Sequence, residues 1–301
     1  MAINSRKLLG HLSMVGANTM WGLMAPIAKV TMSAGIISSL LMTNFRIVGA
    51  ALLLWCLSLF RPAEKVSGHD LLLLAGAGLL SIVANQGCFI FGVGFTSPAE
   101  ASIITTTMPM WVMLLAALIL REPITIKKAG GILLGATGAI ILIANSSATG
   151  IPGNKPLLGD ILVLTAQFSY ALYLTLYKNF IRRYSIVTLM KWMFSFAALA
   201  VIGPSLPEWL HTRWYAMDAT QIFGALYVVV GGTFIAYLLM MNGQKQLRPT
   251  VVGMYNYVQP IVATIVALTL GLDTFNLWKI VAVALIFTGV FLVIKSRART
   301  P

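Results

Sequence analysis

Arg46 lies ten residues into an apolar stretch that runs from 36 to 60, about 15 Å along the axis if that stretch is helical. At such depth a guanidinium reaches neither surface easily, so it has to meet a partner or a wet cavity inside the protein. Its planar fork suits two tasks. It can receive a carboxylate of a bound substrate, or it can clamp helix-end carbonyls or the carboxylate of Glu100. Uncharged polar groups recur at helical spacing in other apolar stretches. Gln167, Tyr170, Leu174 and Tyr177 fall on one helical face, Asn18 and Trp21 repeat the start of that pattern, and Thr105, Asn256, Gln259 and Tyr237 complete the set. Such groups can line a polar and aromatic pocket that binds a ligand without making or breaking bonds.

Catalytic arrangements are missing. His11, His69 and His211 lie near the ends of apolar stretches or in connections, and no HExxH, GxSxG or GxxxxGK[ST] pattern occurs. Cys56 and Cys88 fall inside apolar stretches and form no metal-ligand spacing. The residues therefore indicate no enzyme, no cofactor and no metal.

The elements that must position these groups follow from composition. Of 301 residues, 58% are hydrophobic and 10% charged, with a mean hydropathy of +0.88, against about 25% charged in soluble domains. The surroundings are a lipid bilayer. Hydrocarbon offers no partner for backbone N–H and C=O groups, which leaves helices or closed barrels. Runs such as LLLLAGAGLLSIVA from 71 to 84 do not alternate, so they are helices. Ten spans are expected, near 12–32, 36–60, 71–95, 98–120, 124–144, 157–180, 186–204, 219–241, 249–272 and 276–294.

The formal net charge of +13 points to topology rather than to nucleic acid. With a cytoplasmic N-terminus, the tails and even-numbered loops carry fourteen cations, among them Arg61, Lys65, Arg121, Lys127, Arg183 and Arg248, while the opposite loops carry only Lys155 and Arg213. That asymmetry places both termini in the cytoplasm of a multi-pass plasma (inner) membrane protein. The first apolar stretch is expected to be retained, since it holds Pro26 and Lys29 and exceeds a signal core. Lys29 and Lys178 are expected to snorkel to the headgroups, and Glu100 to sit at the positive end of its helix.

The two halves repeat. An offset of 151 pairs Gly92 with Gly243, Pro98 with Pro249, Thr105 with Asn256, Pro109 with Pro260, Glu122 with Asp273 and Gly138 with Gly289. At the front of each half an offset of 149 pairs Asn18 with Gln167, Trp21 with Tyr170 and Lys29 with Lys178. Five spans per copy is odd, so the second copy enters from the opposite face, the arrangement that lets one central site open to either side in turn. Pro109 and Pro260 lie about 16 Å into their spans, where each frees a carbonyl and can shape a cavity or hinge. Gly131 and Gly135 form a GxxxG pair for close helix contact, within the chain or in a homodimer, the monomer being preferred.

The P(x)10P spacing followed by LILREP (118–123), the glycine-bearing GGILLGATGAIIL, and ANTMWGLMAP, NFRIVGAALLL and FTGVFLV resemble EamA-type permeases of the drug/metabolite transporter superfamily. The resemblance covers nearly the whole chain, with Asp273 standing in the second copy where the first has Glu122. It implies an all-α membrane protein of ten helices in two five-helix inverted repeats, here 1–150 and 151–301. It also implies transport of small metabolites, often export of amino acids or related compounds. The expected cavity is bounded by spans 1, 3, 4, 6, 8 and 9. Exchange of cationic drugs for protons is an alternative that calls for a carboxylate in that cavity, and a non-transporting sensor or scaffold is the alternative outside transport. Single-cysteine labelling in intact cells tests the topology: positions beside Lys65 and Lys127 should be shielded and positions beside Lys155 and Arg213 labelled. Lys65 and Lys155 found on one side would end the inverted-repeat reading.

Overall fold

A computed structural model describes residues 5–121, 125–144, 155–180, 183–246, 255–256, 258–274 and 276–295. Their regular structure is helical throughout, with no strand among the described residues. In chain order, α1 is Ser5–Ser33, α2 Ser39–Ser58, α3 Gly68–Phe95, α4 Pro98–Ile119 and α5 Ile126–Ala144. The second half has α6 at Pro156–Leu176, α7 at Ile186–His211, α8 from Ala219 to Gln246, α9 at Val258–Thr269 and α10 at Leu277–Lys295. Six of these, α2, α3, α4, α6, α7 and α8, are long and apolar enough to cross a bilayer. The apolar windows of α5, α9 and α10 are shorter. The chain is a multi-pass membrane protein.

Local sequence accounts for the starts of α2, α3, α4, α7 and α8. Ser38, Ser67, Ser97 and Ser185 accept from the backbone N–H three residues on, at 3.1 to 3.3 Å. Asp218 and Gln221 form a reciprocal capping box ahead of α8. These side chains satisfy N–H groups that hydrocarbon would leave bare.

Pro109 and Pro260 each stand in the first turn of a described helical segment. In α4 the helix stops at Thr105, the N–H groups of Thr106 and Thr107 turn back to Ile103 and Ile104 at 3.0 Å, and a new helix starts at Met108 with Pro109 in its first turn. In α9 the described helix starts at Val258, just ahead of Pro260, after a turn at Asn256. Pro249 lies outside the described residues.

A second symmetric irregularity was not read from the sequence. α3 widens into a π-helical segment over Leu79–Ala84 and α8 does so over Tyr227–Ile235. The offset of 151 carries 79–84 onto 230–235, inside the second segment. A π segment rotates the residues that follow it and releases backbone from the regular ladder, a device frequent at functional sites.

α7 corrects the expected boundary. The helix was expected to stop near 204, ahead of GPSLPEWLHTRWYAMDAT, but it continues through Pro204 and Pro207 to His211. Ser205 donates to the carbonyls of Val201 and Ile202 at 2.7 and 3.0 Å, covering acceptors beside the break. Asn44 of α2 donates to Ser205 at 2.7 Å and accepts from Trp209 at 3.1 Å, and Ser38 donates to Glu208. Tertiary bonds to α2 thus outweigh the local disfavour of proline.

The closest helix crossing joins α5 to α10. A Cβ on Gly289 would lie 2.5 Å from the Gly131 carbonyl oxygen and 2.7 Å from the Gly135 nitrogen, and one on Gly138 would lie 2.8 Å from the Ala282 oxygen. The GxxxG pair is therefore used inside the chain. Gly138 and Gly289 are equivalent under the offset of 151, so each repeat offers its glycine to the other's last helix. Gly289→Val should lower stability by about 1–3 kcal/mol or more, because backbone and not a flexible side chain stands in the way. Gly130→Ala, where nothing stands within 4 Å, should leave the melting temperature unchanged or slightly raised. Thermal melts of both purified variants check this, and equal melts would mean that the crossing is not tight.

Candidate functional site

A cavity of about 790 Å³, counting its open mouth, lies among α1, α2, α3, α4, α6, α8 and α9. Its lining falls into pairs related by the repeat. Trp21 faces Tyr170 under the offset of 149, and Phe89 with Met240, Thr105 with Asn256, and Met108 with Gln259 follow the offset of 151. Met24, Arg46, Asn85, Ser102, Gln167 and Tyr237 complete it. Residues next to the turn in α4, next to the turn ahead of α9 and just after both π segments line this space. Thr105 and Met108 flank the turn in α4, Asn256 and Gln259 flank that ahead of α9, Asn85 and Phe89 follow the π segment of α3, and Tyr237 and Met240 follow that of α8. Amide and hydroxyl side chains next to the irregular backbone thus line one cavity.

Eight of the ten residues expected to line the cavity do so: Trp21, Arg46, Thr105, Gln167, Tyr170, Tyr237, Asn256 and Gln259. Asn18 is fully buried behind the wall. It donates to the Met14 carbonyl and accepts from Gln259 Nε2, both at 2.8 Å, so it orients a lining amide. Tyr177 lies elsewhere, because α6 ends at Leu176 and Tyr177 is its cap. There it joins a ladder of rings with Tyr173 at 5.8 Å and Phe180 at 6.2 Å. Pro109 does not reach the cavity, and Pro260 borders a separate apolar groove among α4, α9 and α10. Met24, Asn85, Phe89, Ser102, Met108 and Met240 were missed, although applying the offset of 151 to Gln259 finds Met108.

Arg46 is 4% exposed. Its Nε donates to Thr233 Oγ1 at 2.8 Å, and Thr233 passes its own proton to the Val228 carbonyl at 2.8 Å inside the π segment of α8. No ion pair of Arg46 exists among the described residues, so the expected alternative of a clamp on Glu100 is not what forms. Tyr237 packs edge-on to Trp21 at 5.6 Å and accepts from Gln86 Nε2 at 3.2 Å; Gln86 and Tyr237 are again 151 apart. Asn85 donates to the Ala166 carbonyl at 2.8 Å, holding α3 to α6.

The described acids are all occupied away from the cavity. At the end of the bundle where α3 stops and α4, α6 and α10 start, Glu100, Asp160 and Asp273 are 2%, 0% and 8% exposed. Glu100 pairs with Lys279 at 3.0 Å, and Lys279 also binds Asp273. Ser97 donates to Asp273 at 3.1 Å, and the Thr96 hydroxyl lies 2.6 Å from Asp160 and 3.0 Å from Glu100, where its single proton serves one of them at a time. Lys29 belongs to the same region and does not snorkel. It is 9% exposed and donates to the carbonyls of Gly94 and Thr96 at 2.7 and 3.1 Å, capping the C-terminal end of α3. The other described acids bond elsewhere: Glu64 to the Ser185 N–H, Asp70 to Tyr184 and Arg183, Glu208 to Ser38, and Asp218 within its capping box. Glu64 sits on a connection, where the Thr188 hydroxyl and the Ser185 N–H hold its carboxyl below the usual range. Glu122 lies outside the described residues.

Comparison with known proteins agrees with this architecture. The chain is 25% identical over 294 residues to the uncharacterized transporter YetK of Bacillus subtilis, covering 96% of this chain and 86% of the relative. It is 23% identical over 296 residues to the uncharacterized inner membrane transporter YicL of Salmonella typhimurium, covering 96% and 97%. A WAT1-related protein of Arabidopsis thaliana is 24% identical over 266 residues, covering 79% and 71%. One solved crystal structure superposes with a TM-score of 0.62 at 18% identity over 96% of both chains, which shows a shared fold. The profile of the EamA-like transporter family matches twice, over residues 8–144 and again over 157–295. Two copies of one helical unit, meeting around a polar cavity and spanning the whole chain, place this protein in the EamA-like transporter family.

Proposed function

We propose that this membrane transporter is a secondary transporter that carries a small amphipathic metabolite across the plasma (inner) membrane by alternating access. Ten spans in two inverted halves, 1–150 and 151–301, with both termini cytoplasmic, would be the frame. The observation that carries the reading is the pairing of the cavity lining. Equivalent residues of the two repeats line one space, next to turns and π segments at equivalent places of the two repeats. A pair of inverted halves can exchange conformations around such a site, opening it first to one side and then to the other.

The buried ion network supports a closed gate at one end. Lys29, Thr96, Glu100, Asp160, Asp273 and Lys279 tie α1, α3, α4, α6 and α10 together, and under the proposed topology this is the external end. Charges that are nearly out of solvent hold their geometry only while partners stay in place, so the end is either closed with the network intact or open with the charges hydrated. Exchange of cationic drugs for protons draws no support, because no described residue lining the cavity is a carboxylate.

The gate is testable in vesicles with Thr105→Cys on a background of Cys56→Ser and Cys88→Ser. Adding Lys279→Ala should lower stability by about 3 kcal/mol, as expected when one partner of a largely buried pair is removed. It should also speed labelling of Thr105→Cys by an impermeant maleimide, from the side of the α3–α4 connection only, by roughly tenfold for each 1.4 kcal/mol by which closure is weakened. Labelling that is unchanged, or faster from the other side, would show that the network is not a gate.

A further inference from the structure

We infer that the cavity selects organic monoanions, and that its preferred substrates are monocarboxylates with an apolar or aromatic body. The inference rests on the transporter reading and narrows its substrate class. The argument begins with charge. Arg46 is the only formal charge among the described lining residues, and seven of the eight acids of the chain are described and bound elsewhere. The guanidinium has five N–H donors, and only the one on Nε has an acceptor among the described residues. Nη1 and Nη2 are not among the fully enclosed unsatisfied atoms, so the 4% exposure of this residue opens into the cavity.

The Thr233 bond fixes which edge of the fork is presented. With Nε held against α8, the donors on Nη1 and Nη2 are those left for the cavity that Arg46 lines together with Tyr237, Gln167 and Asn85. A carboxylate there would meet two parallel charge-assisted donors and would neutralise the one charge the cavity holds. A phosphate dianion would leave one negative charge over in a site without a second base. A free amine fares worse. Its ammonium would find neutral amide, hydroxyl, thioether and aromatic groups and no carboxylate among the described lining residues. The weak attraction of the ring faces for a cation would be opposed by the repulsion of an uncompensated guanidinium in the same cavity. An α-amino acid carries both groups and should rank below the same acid without its amine. The rest of the lining suits the remainder of such a molecule, since Trp21, Met24, Phe89, Met108 and Met240 offer an aromatic and thioether surface opposite the amides.

The test uses the full chain in lipid nanodiscs and four matched probes: 3-phenylpropanoate, its methyl ester, L-phenylalanine and 3-phenylpropylamine. Binding is read by the fluorescence of the protein and by thermal shift, with acetate and hexanoate included to grade the apolar part. The acid should bind at least tenfold more tightly than the ester, the amino acid and the amine, the range expected for a charge-assisted bond in a buried site. Arg46→Gln should reduce the acid to the level of the ester and leave the ester unchanged, while Arg46→Lys should keep the preference but weaken it. Equal binding of acid and ester to the unaltered protein, or no shift with any carboxylate at 10 mM of probe, roughly the weak end of measurable affinity, would overturn the inference without recourse to a variant. An Arg46→Gln protein that melts as the unaltered one does and keeps the acid preference would overturn it too. Flux of the same probes in proteoliposomes separates the two levels. Binding of the acid that depends on Arg46 but comes without flux removes the transporter reading and leaves the anion site. Flux of ester or amine that does not depend on Arg46 leaves the transporter and removes the anion site.

Discussion

A charge in hydrocarbon has to be paired, hydrogen-bonded or placed beside water, and the distribution of buried charge in this chain follows from that constraint. Lys29 and Lys279 are turned inward among carbonyls and carboxylates at one end of the bundle, where three acids are buried with them. Arg46 is held apart from every described acid, on a hydroxyl that itself belongs to an irregular turn of α8. The first arrangement neutralises charge and joins five helices. The second leaves a charge unneutralised at the one place where a cavity makes that tolerable. Had Arg46 reached Glu100, the network would have lost one of its three acids and the cavity the one cation among its described lining residues.

The repeat distributes the remaining work. Glycines at equivalent positions let α5 and α10 cross at backbone distance, and this packing fastens the two last helices of the halves to each other. Away from that crossing, helical regularity is given up in equivalent places: at Pro109 and Pro260, and in the π segments of α3 and α8. Each irregularity leaves backbone groups that lipid could not satisfy. They are tolerated because they face protein or cavity, and the polar side chains of the lining stand at those same levels.

Much of this was legible beforehand, for reasons that can be given residue by residue. Apolar runs without alternation can only be helices in lipid, so the helical class followed from composition. The constant offsets exposed the repeat, and helical spacing together with the offsets named part of the cavity, Trp21 with Tyr170 and Thr105 with Asn256 among it. Tyr177 was misplaced because a periodicity of helical spacing was extended one residue past the helix end. Lys29 was read as snorkelling because a long side chain near a span end usually does so, but the open C-terminal turn of α3 supplies nearer acceptors.

By itself the sequence determined that the chain is helical, embedded in a membrane and internally duplicated, since those properties depend on composition and on positions compared along the chain. Only the tertiary structure decided who meets whom. It carried α7 through two prolines because α2 supplies Asn44 and Ser38. It gathered Glu100, Asp160 and Asp273, up to 173 residues apart by number, into one ion network (273 less 100). It also left Arg46 with Thr233 as its partner among the described residues. Partner choice in a low-dielectric interior is a matter of a few ångströms, because attraction and desolvation both change steeply over that range. No spacing along a chain specifies such distances until the helices have packed.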